Sequence, residues 1–151
     1  MDHASWQDLI QAALAVRQKA QAPYSKFFVG AALEDRSGKI HTGCNVENAT
    51  YGLTICAERV AVYKAISEGC RAGDFRRLAI AADSPELTPP CGACRQILWE
   101  FGGDLEILLV NLAGESRCYR LSDLLPLAFD ARFLSGPAPP VSSPATPSQA
   151  S

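Results

Sequence analysis

The sequence predicts a three-layer α/β/α domain built on a mixed five-stranded sheet. Three observations lead to that architecture. An amphipathic helix opens the chain, two extended runs flank a four-residue turn, and an apolar run near residue 105 is followed by a link too short for a helical crossover. The first supplies an outer layer, the second an antiparallel hairpin, and the third an antiparallel pair at the far side of the sheet.

The elements follow in order. Trp6, Leu9, Ile10, Ala13, Leu14 and Arg17 recur at helical spacing, Ser5 is the N-cap, and the helix must end before Pro23. Residues 29–34 and 39–45 enclose Asp35, Arg36, Ser37 and Gly38, a composition that turns a hairpin. Asn45 and Glu47 then leave the end of its second strand. Residues 56–68 read as a helix stopped near Gly69, and residues 77–82 as a short apolar strand. Pro89 and Pro90 force an extended approach to a helix over 91–101, which Gly102 and Gly103 terminate. Residues 105–110 form a buried-type strand, and residues 117–120 return antiparallel to it.

At 151 residues and 48% hydrophobic content, the chain can bury the core of one domain without disulfide staples. We place that domain at residues 1–134. Residues 135–151 are expected to be a disordered tail, because residues 136–151 hold five of the ten prolines and no charged side chain. A formal net charge of -2 and a pI near 5.6 argue against nucleic acid and anionic membranes as partners. The chain carries neither a signal-peptide pattern nor an apolar run of membrane-spanning length, so a cytoplasmic location is expected. In a reducing compartment, six cysteines are metal ligands or buried thiols before they are disulfides.

The cysteine spacing carries the chemistry. Cys56-Ala57-Glu58 is followed 35 residues after Cys56 by Pro90-Cys91-Gly92-Ala93-Cys94. Together they offer three thiolates and one carboxylate. A structural zinc site closes its coordination with four protein ligands, whereas a catalytic one keeps three and leaves a position for the reacting oxygen. Both motifs open predicted helices, whose free N–H groups and positive ends offset the negative charge of three thiolates. In a helix first turn, Glu58 can stand beside the metal without ligating it, where a base acting on water belongs. A redox dithiol shares the Cys91-x-x-Cys94 spacing but needs neither a third thiol nor the adjacent acid. A closed structural zinc site, with Cys44 or His41 as fourth ligand, would leave Glu58 only a helix-capping role. Cys44, Cys70 and Cys118 have no ligand spacing and read as small buried residues.

These motifs resemble those of the cytidine deaminase family, in its compact, homotetrameric, three-cysteine form. The segments Phe27-Phe28-Val29-Gly30-Ala31-Ala32-Leu33, Asn45-Val46-Glu47-Asn48-Ala49 and Pro90-Cys91-Gly92-Ala93-Cys94-Arg95-Gln96 are similar to family segments in the same order, from about Trp6 to Phe129. The resemblance implies a cytidine deaminase-like fold and one zinc ion per chain on Cys56, Cys91 and Cys94. It also implies hydrolytic deamination of cytidine, with deoxycytidine as a further substrate, to uridine and deoxyuridine with release of ammonia in pyrimidine salvage. Glu58 becomes the acid-base residue, passing a proton to ring N3 and then to the departing amino group. Arg59 becomes the donor to a ligand sulfur. Asn45 and Glu47 hold the ribose hydroxyls, Phe27 packs on the base, and Ala57 belongs to the substrate-binding set. Tyr51 and Phe129 match positions that complete a neighbouring subunit's pocket in a homotetramer.

Two positions depart from the family pattern: Phe28 stands where proline is common, and Pro89 replaces a small hydroxyl residue. Two other readings share parts of the motif. A deaminase of aminonucleoside antibiotics would keep the zinc site, but Asn45-Val46-Glu47-Asn48 argues for a plain nucleoside. A non-catalytic RNA-binding relative would need a basic surface that this acidic chain lacks.

Overall fold

The hairpin, the two cysteine-led helices and the closing antiparallel pair all form in the computed structural model, which describes residues 4–134. The tail expected over residues 135–151 lies outside the described residues. The elements are α1 (Trp6–Arg17), β1 (Val29–Asp35), β2 (Ile40–Cys44), α2 (Ala57–Ser67), β3 (Phe75–Ala82), α3 (Gly92–Gly102), β4 (Glu106–Asn111), β5 (Ser116–Arg120) and the single turn α4 (Leu121–Leu124). Short 3-10 turns occupy Tyr51–Leu53 and Ala131–Phe133.

Strand order in the sheet is β2-β1-β3-β4-β5. Only the β3–β4 pair is parallel, joined through α3, and the other pairs are antiparallel. Side-chain alternation along the strands sorts the sheet into two faces. Leu33, Leu78, Ile80, Ile107 and Leu109 join Ala61, Val62, Ala65 and Leu98 on the side of α2 and α3. Ala32, Ala79, Ala81, Leu108 and Val110 join Leu9 and Ala13 of α1 on the other. Larger aliphatic residues predominate on the α2/α3 face, whereas Ala32, Ala79 and Ala81 line the α1 face.

Local signals start and stop the helices as their residues dictate. Ser5 caps α1 in a reciprocal capping box with Asp8. Gly103 ends α3 at a φ of 65°, a conformation that favours glycine. Arg77 is buried in β3 by pairing with Glu34 of β1 at 2.5 Å, and its guanidinium lies 4.7 Å from the Trp6 ring centroid. β3 begins two residues earlier than the apolar pattern suggested, at Phe75, which pairs with Asp35. Cys118, expected to be buried, is exposed on the outer strand β5, while Cys44 and Cys70 are half-buried.

Register places one end of the sheet under the candidate site. Val29 pairs with Ala82 and Gly30 with Cys44, so the start of β1, the end of β2 and the end of β3 come together. The chain leaves that end through residues 45–47 on one side and residues 83–91 on the other. Both lead to cysteine motifs at helix N-termini.

Candidate active site

Cys56 and Cys91 are themselves the N-caps of α2 and α3, and neither side chain is used to cap its helix. Their thiols are therefore directed away from the backbone and toward each other. The Cys56 and Cys91 sulfurs are 3.9 Å apart, and the sulfurs of Cys56, Cys91 and Cys94 all lie within 4.8 Å of one another. Tetrahedral zinc–thiolate bonds of about 2.3 Å place sulfurs about 3.8 Å apart. The donor set fits zinc.

Charge makes the same demand. The Cys94 thiol and the Arg59 guanidinium lower the Cys56 pKa to about 5, against the cost of burial. Cys56 and burial in turn push Cys94 strongly upward, so these two thiols do not ionise together unaided. A dication between them lifts that restriction. Arg59 Nη2 donates to the Cys56 sulfur at 3.4 Å, while its buried Nε has no hydrogen-bond partner among the described residues. His41, considered as a fourth ligand, belongs to a separate group with Asp35 and Cys70, and Cys44 is in neither donor group. The three-cysteine set therefore stays open.

Glu58 follows Cys56 by two residues and is 5% exposed. Burial, reinforced by the charge on Cys56, pushes its pKa up to about 7, and its carboxylate accepts from the Cys94 thiol. A cavity of about 240 Å³ opens beside it, lined by Phe27, Asn45, Glu47, Cys56, Ala57 and Glu58 among others. With Cys91, which also lines it, seven residues singled out by sequence thus meet in one place. Phe27 is 38% exposed, so it is a wall of the cavity and not a core residue.

Asn45 and Glu47 have loop contacts as well. Asn45 Nδ2 donates to the Phe27 carbonyl at 2.7 Å and its Oδ1 accepts from the Val29 N–H at 2.9 Å. Glu47 Oε1 accepts the Tyr24 and Ser25 N–H groups at 3.0 and 3.1 Å. Both side chains therefore hold the 24–29 segment against the end of β2. Tyr51 lies outside this cavity, 74% exposed, with its ring edge against Tyr24 at a centroid distance of 5.8 Å. Phe129 is also outside it, stacked on Phe133.

Ser25, Val29, Ile55 and Thr88 line the cavity without having been singled out. Ile55 had a signal in hindsight, since it precedes Cys56 and bridges back to Val46. Thr88 brings a hydroxyl one residue ahead of Pro89, the position where the sequence lacks one.

A thiol triad at paired helix ends, with a buried acid facing a cavity, marks a metal-dependent hydrolytic enzyme more than a redox protein. Comparisons with known proteins narrow that class. The family model for the cytidine and deoxycytidylate deaminase zinc-binding region matches residues 4–109. A cytidine deaminase of Halalkalibacterium halodurans is 48% identical over 126 residues, covering 83% of this chain and 94% of that protein. The crystal structure of cytidine deaminase from Burkholderia pseudomallei matches with a TM-score of 0.82 and 49% identity, across 83% of this chain and 100% of that one. That from Mycobacterium tuberculosis matches with a TM-score of 0.72 and 41% identity, across 84% and 98% respectively. The chain belongs to the cytidine deaminase family.

Proposed function

We propose that this protein is a zinc-dependent hydrolase that deaminates cytidine to uridine and ammonia, and deoxycytidine likewise. The observation that carries the reading is the clustering of the Cys56, Cys91 and Cys94 sulfurs beside a cavity that Cys56, Cys91 and buried Glu58 line. Zinc, held by the three thiolates, supplies the Lewis acidity that makes water a nucleophile near neutral pH.

The chain's own residues do the rest. Glu58 accepts a proton from the attacking water and delivers it to N3 of cytosine as the new oxygen bond forms at C4. It then takes a proton from that oxygen and gives it to the C4 amino group. The C–N bond breaks, ammonia departs, and uracil remains on the sugar. Phe27 and Ala57 bound the base, which keeps bulk water away from the reacting carbon. Asn45 and Glu47 face the cavity beyond them, and a carboxylate there accepts a ribose hydroxyl while repelling phosphate. Arg59 places positive charge on the sulfur of Cys56 and so steadies that ligand.

The same reading extends to assembly. The cavity is below the roughly 300–1,000 Å³ of most ligand sites. Tyr51, Phe129 and Phe133 leave large apolar surface exposed. Both facts support a homotetramer in which Tyr51 and Phe129 close a neighbour's pocket. A salvage role in the cytoplasm follows from the substrate class, and no described helix is long and apolar enough to cross a membrane.

Product analysis tests the activity. Zinc-loaded protein should release uridine and ammonia in equal amounts from cytidine, use free cytosine poorly for lack of ribose, and reject cytidine monophosphate. Absence of uridine, or equal use of cytosine and cytidine, contradicts the proposal.

A further inference from the structure

At the opposite end of α2, roughly 16 Å along the helix from Cys56, the fold assembles a second set of metal-ligating atoms. Asp35 ends β1, His41 lies within β2, and Cys70 follows the C-cap of α2. Their donor atoms lie within 4.8 Å of one another. His41 Nε2 is 2.8 Å from Asp35 Oδ2, and the Cys70 sulfur is 3.6 Å from Asp35 Oδ2 and 3.7 Å from His41 Nε2.

We propose that Asp35, His41 and Cys70 form a second, non-catalytic zinc site that staples the β1–β2 hairpin to the end of α2. A tetrahedral zinc with ordinary bond lengths spaces a sulfur from a nitrogen or oxygen donor by about 3.5 Å. Both sulfur distances match that edge. The His41–Asp35 edge is shorter because a hydrogen bond spans it, and zinc would replace its proton and open it by about half an ångström.

The histidine supplies an independent argument. Its side chain is buried, and both ring nitrogens face carboxylates: Nε2 faces Asp35, and Nδ1 faces Glu68 Oε2 at 3.0 Å. A neutral imidazole has one N–H and can satisfy only one of them, so the pair of contacts calls for added positive charge at the ring, a second proton or a metal ion. Zinc on Nε2 resolves the conflict, leaving Nδ1–H to donate to Glu68 as metal-bound histidines do to a nearby carboxylate. Asp35 is also pre-oriented. Its Oδ1 accepts from the Ser37 N–H, the Ser37 hydroxyl and the Lys39 N–H, which leaves Oδ2 turned toward the cluster. A cavity of about 320 Å³ gives the ion a path in from solvent and room for water as fourth ligand.

Imidazole, carboxylate and thiolate together favour zinc over calcium or magnesium, which take oxygen donors. The site shares no residue with the cytidine cavity. Zinc there should stabilise the fold without entering the reaction.

Equilibrium dialysis of the full-length protein against zinc, followed by elemental analysis, tests the site. The expected result is a second equivalent of zinc per chain, lost in Cys70→Ala and Cys70→Ser while the first equivalent and the cytidine deamination rate are kept. Cobalt(II) should report the same loss as a weaker thiolate-to-metal charge-transfer band in Cys70→Ser. A plateau at one equivalent in the wild-type protein overturns the proposal. So does a second equivalent that survives both substitutions.

Discussion

Single residues in this protein often do two things at once, and only one of them can be read from sequence. Cys56, Glu58, Cys91 and Cys94 were legible because their spacing is short and helical, so local structure alone brings each pair together. Asn45 and Glu47 were legible as polar groups leaving the end of a strand, but their hold on the backbone of residues 24–29 depends on a fold-level approach that no local pattern records. Asp35, His41 and Cys70 were illegible as a group, since they meet only when the hairpin packs on the end of α2. Asp130 is a further case. Its carboxylate accepts from Arg132 and from Trp99 Nε1, which hold its pKa well below the usual carboxylate range. A lowered folded-state pKa means that the contact stabilises the protein above the unfolded value of about 3.9 and is lost as pH falls through the folded one. The difference in melting temperature between wild type and Asp130→Asn should therefore be largest at neutral pH and shrink below about pH 4. A difference that stays constant across that range would contradict this role for the ion pair.

At the scale of elements, the sequence placed every helix of two or more turns and every strand, usually within two residues. The start of β3 was missed because Arg76 and Arg77 separate Phe75 from the apolar run, and only the fold brings Glu34 and Trp6 against Arg77. What fixes the elements against one another was not legible at all. Gly43 looks like a weak point in a strand. In the fold, a Cβ there would lie 2.4 Å from the Ala57 carbonyl oxygen and 2.5 Å from the Ala61 nitrogen. The absent side chain lets the first turns of α2 rest on β2, and that turn carries Cys56 and Glu58. Gly43→Ala should force α2 outward, at a cost of about 1–3 kcal/mol in stability, and should lower kcat and speed zinc loss to a chelator. Unchanged zinc retention and kcat would mean that the contact does not position the site.

For the whole molecule, one chain forms beside the thiol cluster a cavity of about 240 Å³, smaller than most ligand sites. Tyr51 and Phe129 stand exposed outside it, and in the proposed homotetramer, where they close a neighbour's pocket, assembly and catalysis should be coupled. Specific activity should fall on dilution in parallel with tetramer content, followed by light scattering beside the assay. Phe129→Ala should raise KM or weaken the tetramer without removing zinc; a fully active monomer would refute the shared pocket while leaving the zinc chemistry of each chain intact. The central claim is that Glu58 moves the protons of a hydrolytic deamination at a zinc site made by Cys56, Cys91 and Cys94. Its most direct test is the rate of uridine formation by Glu58→Gln protein whose zinc content has been measured in the same sample. The variant should keep about one zinc at that site and lose roughly 10²- to 10⁴-fold in kcat. Near wild-type turnover with zinc in place would contradict it.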